Sequence, residues 1–221
     1  MLLLAVDTAT PAVTVALHDG SSVLAAESQV DARRHGELLL PAVDRVLSEA
    51  GAGVGLGAVT DVVVGVGPGP YTGLRVGLAT ALAFGSALGV PVHGLCTLDG
   101  LAYASGLEEP FVVATDARRK EVYWARYADA RTRVGDPAVD RPADLTERVA
   151  GLPAVGAGAF LYPATFRDAR APEHQSAAAL AGLAAELLAA GRTDDFLPPL
   201  PLYLRRPDAE VPKNYKVVTP K

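Results

Sequence analysis

The stretch from Val62 to Gly89 limits what this chain can fold into more than any other. Val62, Val63, Val64 and Val66 make a short β-branched run suited to a buried strand. Gly65, Gly67 and Gly69, interleaved with Pro68 and Pro70, force a tight loop, and Tyr71 to Leu88 continues at helical spacing. Along that helix Gly73, Gly77, Ala81 and Gly85 recur every four residues, which lines them up on one face. Each interior glycine costs a helix roughly 1 kcal/mol relative to alanine, so the stripe needs a packing reason, namely another backbone coming close. Leu74, Leu78 and Leu82 form an apolar stripe beside it. Two readings stay open: both stripes pack inside this chain, or the glycine groove receives a helix of another one.

A length of 221 residues allows one large domain or two small ones, and 50% hydrophobic residues suffice for a packed core. A membrane helix is not expected: Val76 to Val92 is short of about 20 residues, rich in Gly and Ala, and flanked by Arg75 and Pro91. Met1 to Asp7 lacks a basic flank and a cleavage-type site, and the lone Cys96 makes no disulfide within the chain, so a cytoplasmic location is expected. A net charge of -5 argues against strong nucleic-acid binding by the chain as a whole. The tail runs against that balance, with Arg205, Arg206, Lys213, Lys216 and Lys221 facing only Asp208 and Glu210. It reads as a solvated, flexible tail or as a contact to phosphate.

Leu2 to Asp7, Val13 to His18 and Ser22 to Gln29 read as three antiparallel strands, the last two joined at Asp19-Gly20. Arg34 to Ala50 is expected to be helical, with Leu38, Leu39, Val43, Val46 and Leu47 on its apolar face. The opening pattern returns: Phe111 to Thr115 is a strand ending on Asp116, followed by Glu121 to Tyr127. Aligned on Asp7 and Asp116 without a gap, Val13 matches Val122 and Ala16 matches Ala125. Two similar αβ halves follow, with a boundary near Gly100 to Pro110. The expected division is an N-terminal lobe over 1–103, a smaller lobe over 104–204 and the basic tail 205–221. In the second half Ala143 to Val149 and Ser176 to Ala190 read as helices, and Ala154 to Gly156 as a strand stub.

Asp7, Thr8 and Thr10 stand at the end of the first strand, where a carboxylate and hydroxyls either meet Mg²⁺ and phosphate or shape the hairpin turn. The glycine loop is a poor phosphate cradle, because Pro68 and Pro70 lack amide hydrogens and Leu74-Arg75 replace the Lys and Ser/Thr of a P-loop. His18, His35, His93 and His174 are too scattered to pair on one helix, and no Ser sits in a nucleophile elbow. Arg118, Arg119 and Lys120 form a basic turn, solvated or in contact with an anion or RNA.

Three groups of residues resemble the TsaB family, also called YeaZ: Leu4 to Thr10; Gly67 to Gly77; and Asp116 to Arg119 with Glu121 to Tyr123. His35 with Leu38 to Pro41 and Tyr203-Leu204-Arg205 extend the likeness over nearly the whole chain. The resemblance implies an α/β, actin-like fold of the sugar kinase, Hsp70 and RNase H-like superfamily, with two related lobes, each a mixed sheet flanked by helices. It further implies a non-catalytic scaffold that binds TsaD, the transferase of threonylcarbamoyl to adenosine 37 beside the tRNA anticodon. A TsaE-like ATPase would join through the complex, tRNA would be met indirectly, and the free chain would form a homodimer. TsaD carries a paired-His metal motif where this chain has His35 followed by Gly36, Glu37, Leu38 and Leu39, so the catalytic metal is expected to be missing. No cofactor is expected to bind tightly; Asp7, Thr8 and Thr10 would be a vestigial nucleotide site, with ATP or ADP bound only jointly with the partner.

On this reading the partner interface comprises Leu38, Leu39, Val43, Gly73, Leu74, Gly77, Leu78, Ala81 and Gly85. Leucine at Gly77 is then expected to block association and leave the monomer folded. The competing classes are an actin-like ATPase or small-molecule kinase using Asp7, and a glycoprotease-like peptidase, for which the sequence offers neither nucleophile nor metal pair.

Overall fold

The computed structural model describes residues 1–51 and 54–205. Its first sheet holds β1 (Leu3–Asp7), β2 (Ala12–His18), β3 (Val23–Val30), β4 (Asp61–Gly65) and β5 (Val92–Leu95) in the order β3-β2-β1-β4-β5. β1, β2 and β3 are antiparallel, whereas β4 and β5 run parallel to β1. The parallel crossovers are made by α1 (His35–Glu49) and α2 (Tyr71–Leu88). α2 occupies the range its glycine and leucine periodicity predicts, and it ends on Gly89 in the left-handed conformation, φ 68°.

β1 is buried along its length because both faces of the sheet are covered, which is why it reads as an unbroken apolar run. Leu4 and Val6 pack with Leu39, Val43, Val46, Leu74 and Leu78 of α1 and α2. Leu3 and Ala5 face the other way, onto Leu180, Ala181 and Ala184 of a helix from late in the chain.

The second sheet repeats the plan with β6 (Phe111–Asp116), β7 (Val122–Asp129), β8 (Thr132–Asp140), β9 (Pro153–Val155) and β10 (Asp168–Arg170), ordered β10-β9-β6-β7-β8. One face is covered by α3 (Thr97–Ser105) through Leu98, Leu101 and Ala102 against Phe111, Val113 and Tyr127. α4 (Pro142–Leu145) and α5 (Ala157–Leu161) cover the other, with Leu145 and Ala159 on Val112, Ala114 and Trp124. The late helix, α6 (Ala177–Ala189), is capped by the Ser176 hydroxyl, which accepts the Ala178 N–H.

The division at 103 therefore needs correction, because the two central helices are exchanged. α3, from the first half, packs on the second sheet, and α6, from the second half, packs on the first. They also meet each other: a Cβ at Gly100 would lie 2.9 Å from Leu180, and the Tyr103 hydroxyl donates to Glu186 at 2.7 Å.

The internal repeat is present, with one change. Asp7 lies opposite Thr14 across the first hairpin, and the pair in the same register of the second sheet is Thr115 opposite Tyr123. Val13 and Val122 do correspond, as do Ala16 and Ala125, but Asp7 corresponds to Thr115, because the second hairpin carries one extra residue. The ungapped match of the two acids is thus a coincidence of spacing. Ala143 to Val149 is helical only as far as Leu145, and β5, β8, β10, α3 and α5 add to the expected elements, with short 3-10 turns at Leu56–Ala58 and Thr193–Asp195. Of the basic tail, Arg205 alone is described, and it pairs with Glu121; 206–221 lie outside the described residues.

Candidate functional site

The turn from β1 into β2 presses directly on the N-terminal half of α2. Asp7 is fully buried; its Oδ1 accepts the Ala9 N–H at 2.7 Å and its Oδ2 accepts the Thr97 hydroxyl at 2.9 Å. Gly65 makes room for this carboxyl, since a Cβ there would stand 2.0 Å from Oδ2. Burial is the main influence and lifts the Asp7 pKa to about 6, against the lowering effect of the two hydrogen bonds. An acid with a raised folded pKa binds its proton more tightly in the native state, so its stabilising contribution is complete near pH 4 and is lost as pH rises through about 6. Asp7→Asn is accordingly expected to gain stability relative to the parent between pH 4.5 and 7.5. Urea unfolding at both values checks this, and a difference independent of pH would refute it.

Thr8 explains two of the glycines. Its hydroxyl donates to the Gly73 carbonyl at 2.7 Å and accepts the Gly77 N–H at 2.9 Å, so it sits between the two groups that an α-helix joins directly. A Cβ on Gly73 would fall 2.5 Å from the Thr8 carbonyl oxygen, and one on Gly77 would fall 2.6 Å from the Thr8 hydroxyl. Further along α2, Ala81 is buried and a Cβ on Gly85 would meet Val92 at 2.2 Å. The groove is therefore filled by the chain's own β1–β2 turn and β5, which corrects its expected role as a docking groove. The aliphatic side chains assigned to that interface go the same way: Leu39, Val43, Leu74 and Leu78 belong to the core, and Leu38 is half-buried against it.

Thr10 completes the turn. Its hydroxyl donates to the Gln175 carbonyl oxygen and accepts the Ala12 N–H at 3.2 Å, while Gln175 donates to the Ala12 carbonyl at 2.9 Å. His35 Nε2 lies 2.8 Å from the Thr10 carbonyl oxygen, which fixes the start of α1. Asp7, Thr8 and Thr10 thus spend polar atoms on the fold, as the turn-shaping alternative expects. Gln175 and Thr97 were not legible as members of this network, because each reaches it from a distant part of the chain. Among the described residues no group of three His, Cys, Asp or Glu side chains could hold a metal, and Cys96 is fully buried with its thiol pKa pushed up by desolvation.

Two open surfaces lie beyond this turn. Leu40, 56% exposed, stands on the outer side of α1 at a groove of about 760 Å³ whose lining includes Leu47, Leu56 and Phe84. Elsewhere, the loop before α2, the β6–β7 turn and the segment Tyr203-Leu204-Arg205 enclose a cleft of about 440 Å³. No helix among the described residues is long and apolar enough to cross a membrane.

Residues 26–213 match the family model described as TsaD: tRNA N6-adenosine threonylcarbamoyltransferase. An uncharacterized protein of Mycobacterium tuberculosis is 45% identical over 94% of this chain and 93% of its own length. The tRNA threonylcarbamoyladenosine biosynthesis protein TsaB of Haemophilus influenzae is 38% identical over 60% of this chain and 56% of its own. The solved structure of YeaZ from Pseudomonas aeruginosa superposes with a TM-score of 0.76 at 33% identity, covering 92% of this chain and 99% of that one. Two duplicated mixed sheets with exchanged central helices are the actin-like architecture, and with 33% identity across 99% of that YeaZ chain this chain belongs to the TsaB/YeaZ family.

Proposed function

We propose that this chain is a non-catalytic subunit in the biosynthesis of threonylcarbamoyladenosine in tRNA, acting by binding and stabilising a TsaD-type transferase. The observation that carries this reading is the internal use of Asp7, Thr8 and Thr10. The residues that an actin-like ATPase would turn toward Mg²⁺ and phosphate instead lock the β1–β2 turn onto α2. Such a chain contributes a surface rather than a reacting group. The exposed groove between α1 and α2 is that surface, with the partner's helices laid against Leu40 and Phe84. The same face serves a homodimer when the transferase is absent. A TsaE-like ATPase joins through the complex, ATP or ADP binds only at a site completed by the partner, and the assembly works in the cytoplasm.

A tagged copy recovered from its native cells tests this. A stoichiometric TsaD-type protein should co-purify, and threonylcarbamoyl transfer to tRNA should require both chains. Recovery of the chain by itself, hydrolysing ATP with loss of that activity in Asp7→Ala, would replace the scaffold by an enzyme.

A further inference from the structure

Three of the segments that carry the family resemblance lie far apart in sequence and meet at one place. Gly69, Pro70 and Tyr71 open α2, Ala117, Arg118, Arg119 and Tyr123 belong to the β6–β7 hairpin, and Tyr203 to Arg205 follow the last helix; all of them line the cleft of about 440 Å³. That volume lies within the range of about 300–1,000 Å³ typical of small-ligand sites. Holding a transferase through α1 and α2 makes no use of it.

The lining is aromatic and cationic. Tyr71 and Tyr203 stack with ring centroids 5.3 Å apart and an interplanar angle of 21°, yet stay 49% and 43% exposed. Arg75 braces the pair, its guanidinium 3.7 Å from the centre of the Tyr71 ring and its Nε donating to the Tyr203 hydroxyl at 3.1 Å. Opposite them the hairpin turn holds three consecutive non-glycine residues in the left-handed region, Arg118, Arg119 and Lys120 at φ 62°, 55° and 62°. Glycine would adopt this turn without strain, so a strained run of three cations in its place points to a use for their charge. Arg205 is pinned by Glu121 and also reaches the Arg118 carbonyl at 3.4 Å. Arg118 has one carboxylate nearby, Asp116 at 3.8 Å, and its side chain is 58% exposed.

Partly exposed aromatic rings beside guanidinium groups are the chemistry that holds an unpaired nucleotide, its base stacked on a ring and its phosphate met by arginine. We propose that this cleft binds a single-stranded nucleotide of a structured RNA, with Tyr203 as the stacking platform and Arg118 at the phosphate. An RNA loop displays unstacked bases in a way that a duplex does not. The choice of RNA over a free mononucleotide rests on the function proposed above. In a chain with a net charge of -5 the contact is local, so it supplements the transferase's hold on tRNA.

The test is fluorescence anisotropy of the full-length chain with a labelled anticodon stem-loop RNA at two salt concentrations, with ATP and a blunt RNA duplex as competitors. Tyr203→Ala should weaken binding about 10-fold or more, and Tyr203→Phe, which keeps the ring, should bind like the parent. Arg118→Asn removes the charge while tolerating the left-handed backbone, and should make the slope of log K against log salt shallower by about 1. Equal affinity of Tyr203→Ala and the parent, no binding by the parent, or displacement of the RNA by equimolar ATP would each overturn the proposal. Thermal melting of each variant controls for folding. Capture of the TsaD-type partner by Tyr203→Ala separates this site from the scaffold surface: loss of RNA with the partner retained supports the cleft, and unchanged RNA affinity with the partner lost removes it.

Discussion

Gly77→Leu is expected to destabilise the first lobe rather than to leave it intact and unable to associate. A Cβ at this position already stands 2.6 Å from the Thr8 hydroxyl, and the leucine branch has only the β1–β2 turn to enter. Overpacking of this kind costs about 1–3 kcal/mol, and expelling Thr8 removes two buried hydrogen bonds worth about 1 kcal/mol each. The sum of about 3–5 kcal/mol is a large part of the stability of an ordinary domain. It should lower the melting temperature by about 6–20 °C in a chain of this size. Calorimetry or circular dichroism on heating reads this directly. A variant that melts with the parent would mean that Thr8 does not sit between Gly73 and Gly77. Thr8→Val is the milder companion, expected to cost about 1–2 kcal/mol by leaving the Gly73 carbonyl and the Gly77 amide without the hydroxyl between them.

The glycine stripe shows how far sequence reading reaches. Its spacing locates α2 from Tyr71 to Leu88 and requires a close backbone approach, and both features are present. Periodicity cannot say whose backbone approaches. The answer depends on Thr8, whose place between Gly73 and Gly77 is set by the pairing of β1 with β4 and by the crossover that returns α2 onto the sheet. The same limit applies to Asp7. A carboxylate at a strand end has one sequence signature whether it faces a cation or an inner network, and only Thr97, brought from the start of α3, decides between them. The long amphipathic or apolar elements were legible, whereas the short β5 and α3 were not, nor was β8, half-exposed and interrupted by Gly135 and Pro137. The exchange of α3 and α6 also escapes local reading, since both helices are apolar enough to pack on either sheet.

Because the inward faces of α1 and α2 are committed to the core, the test of the partner surface moves to the outward side. Leu40→Glu is expected to weaken binding to the TsaD-type partner about 100-fold while leaving the monomer's melting temperature within a degree or two. Leu40 is 56% exposed, so the monomer loses little buried area, and surface changes of this kind stay within about 0.5 kcal/mol. In the complex the same carboxylate would be carried from water into the groove that Phe84 also lines, and desolvation opposes association. Isothermal titration against the purified partner reads the loss, and sedimentation of the free variant reads the same effect on a homodimer that uses this face. If Leu40→Glu binds like the parent, the groove is not the interface. If both association and melting collapse, Leu40 belongs to the core after all. Weak binding by a normally folded chain is the combination that only an outward-facing docking surface produces, and it distinguishes that surface from the glycine groove, where a substitution disturbs folding first.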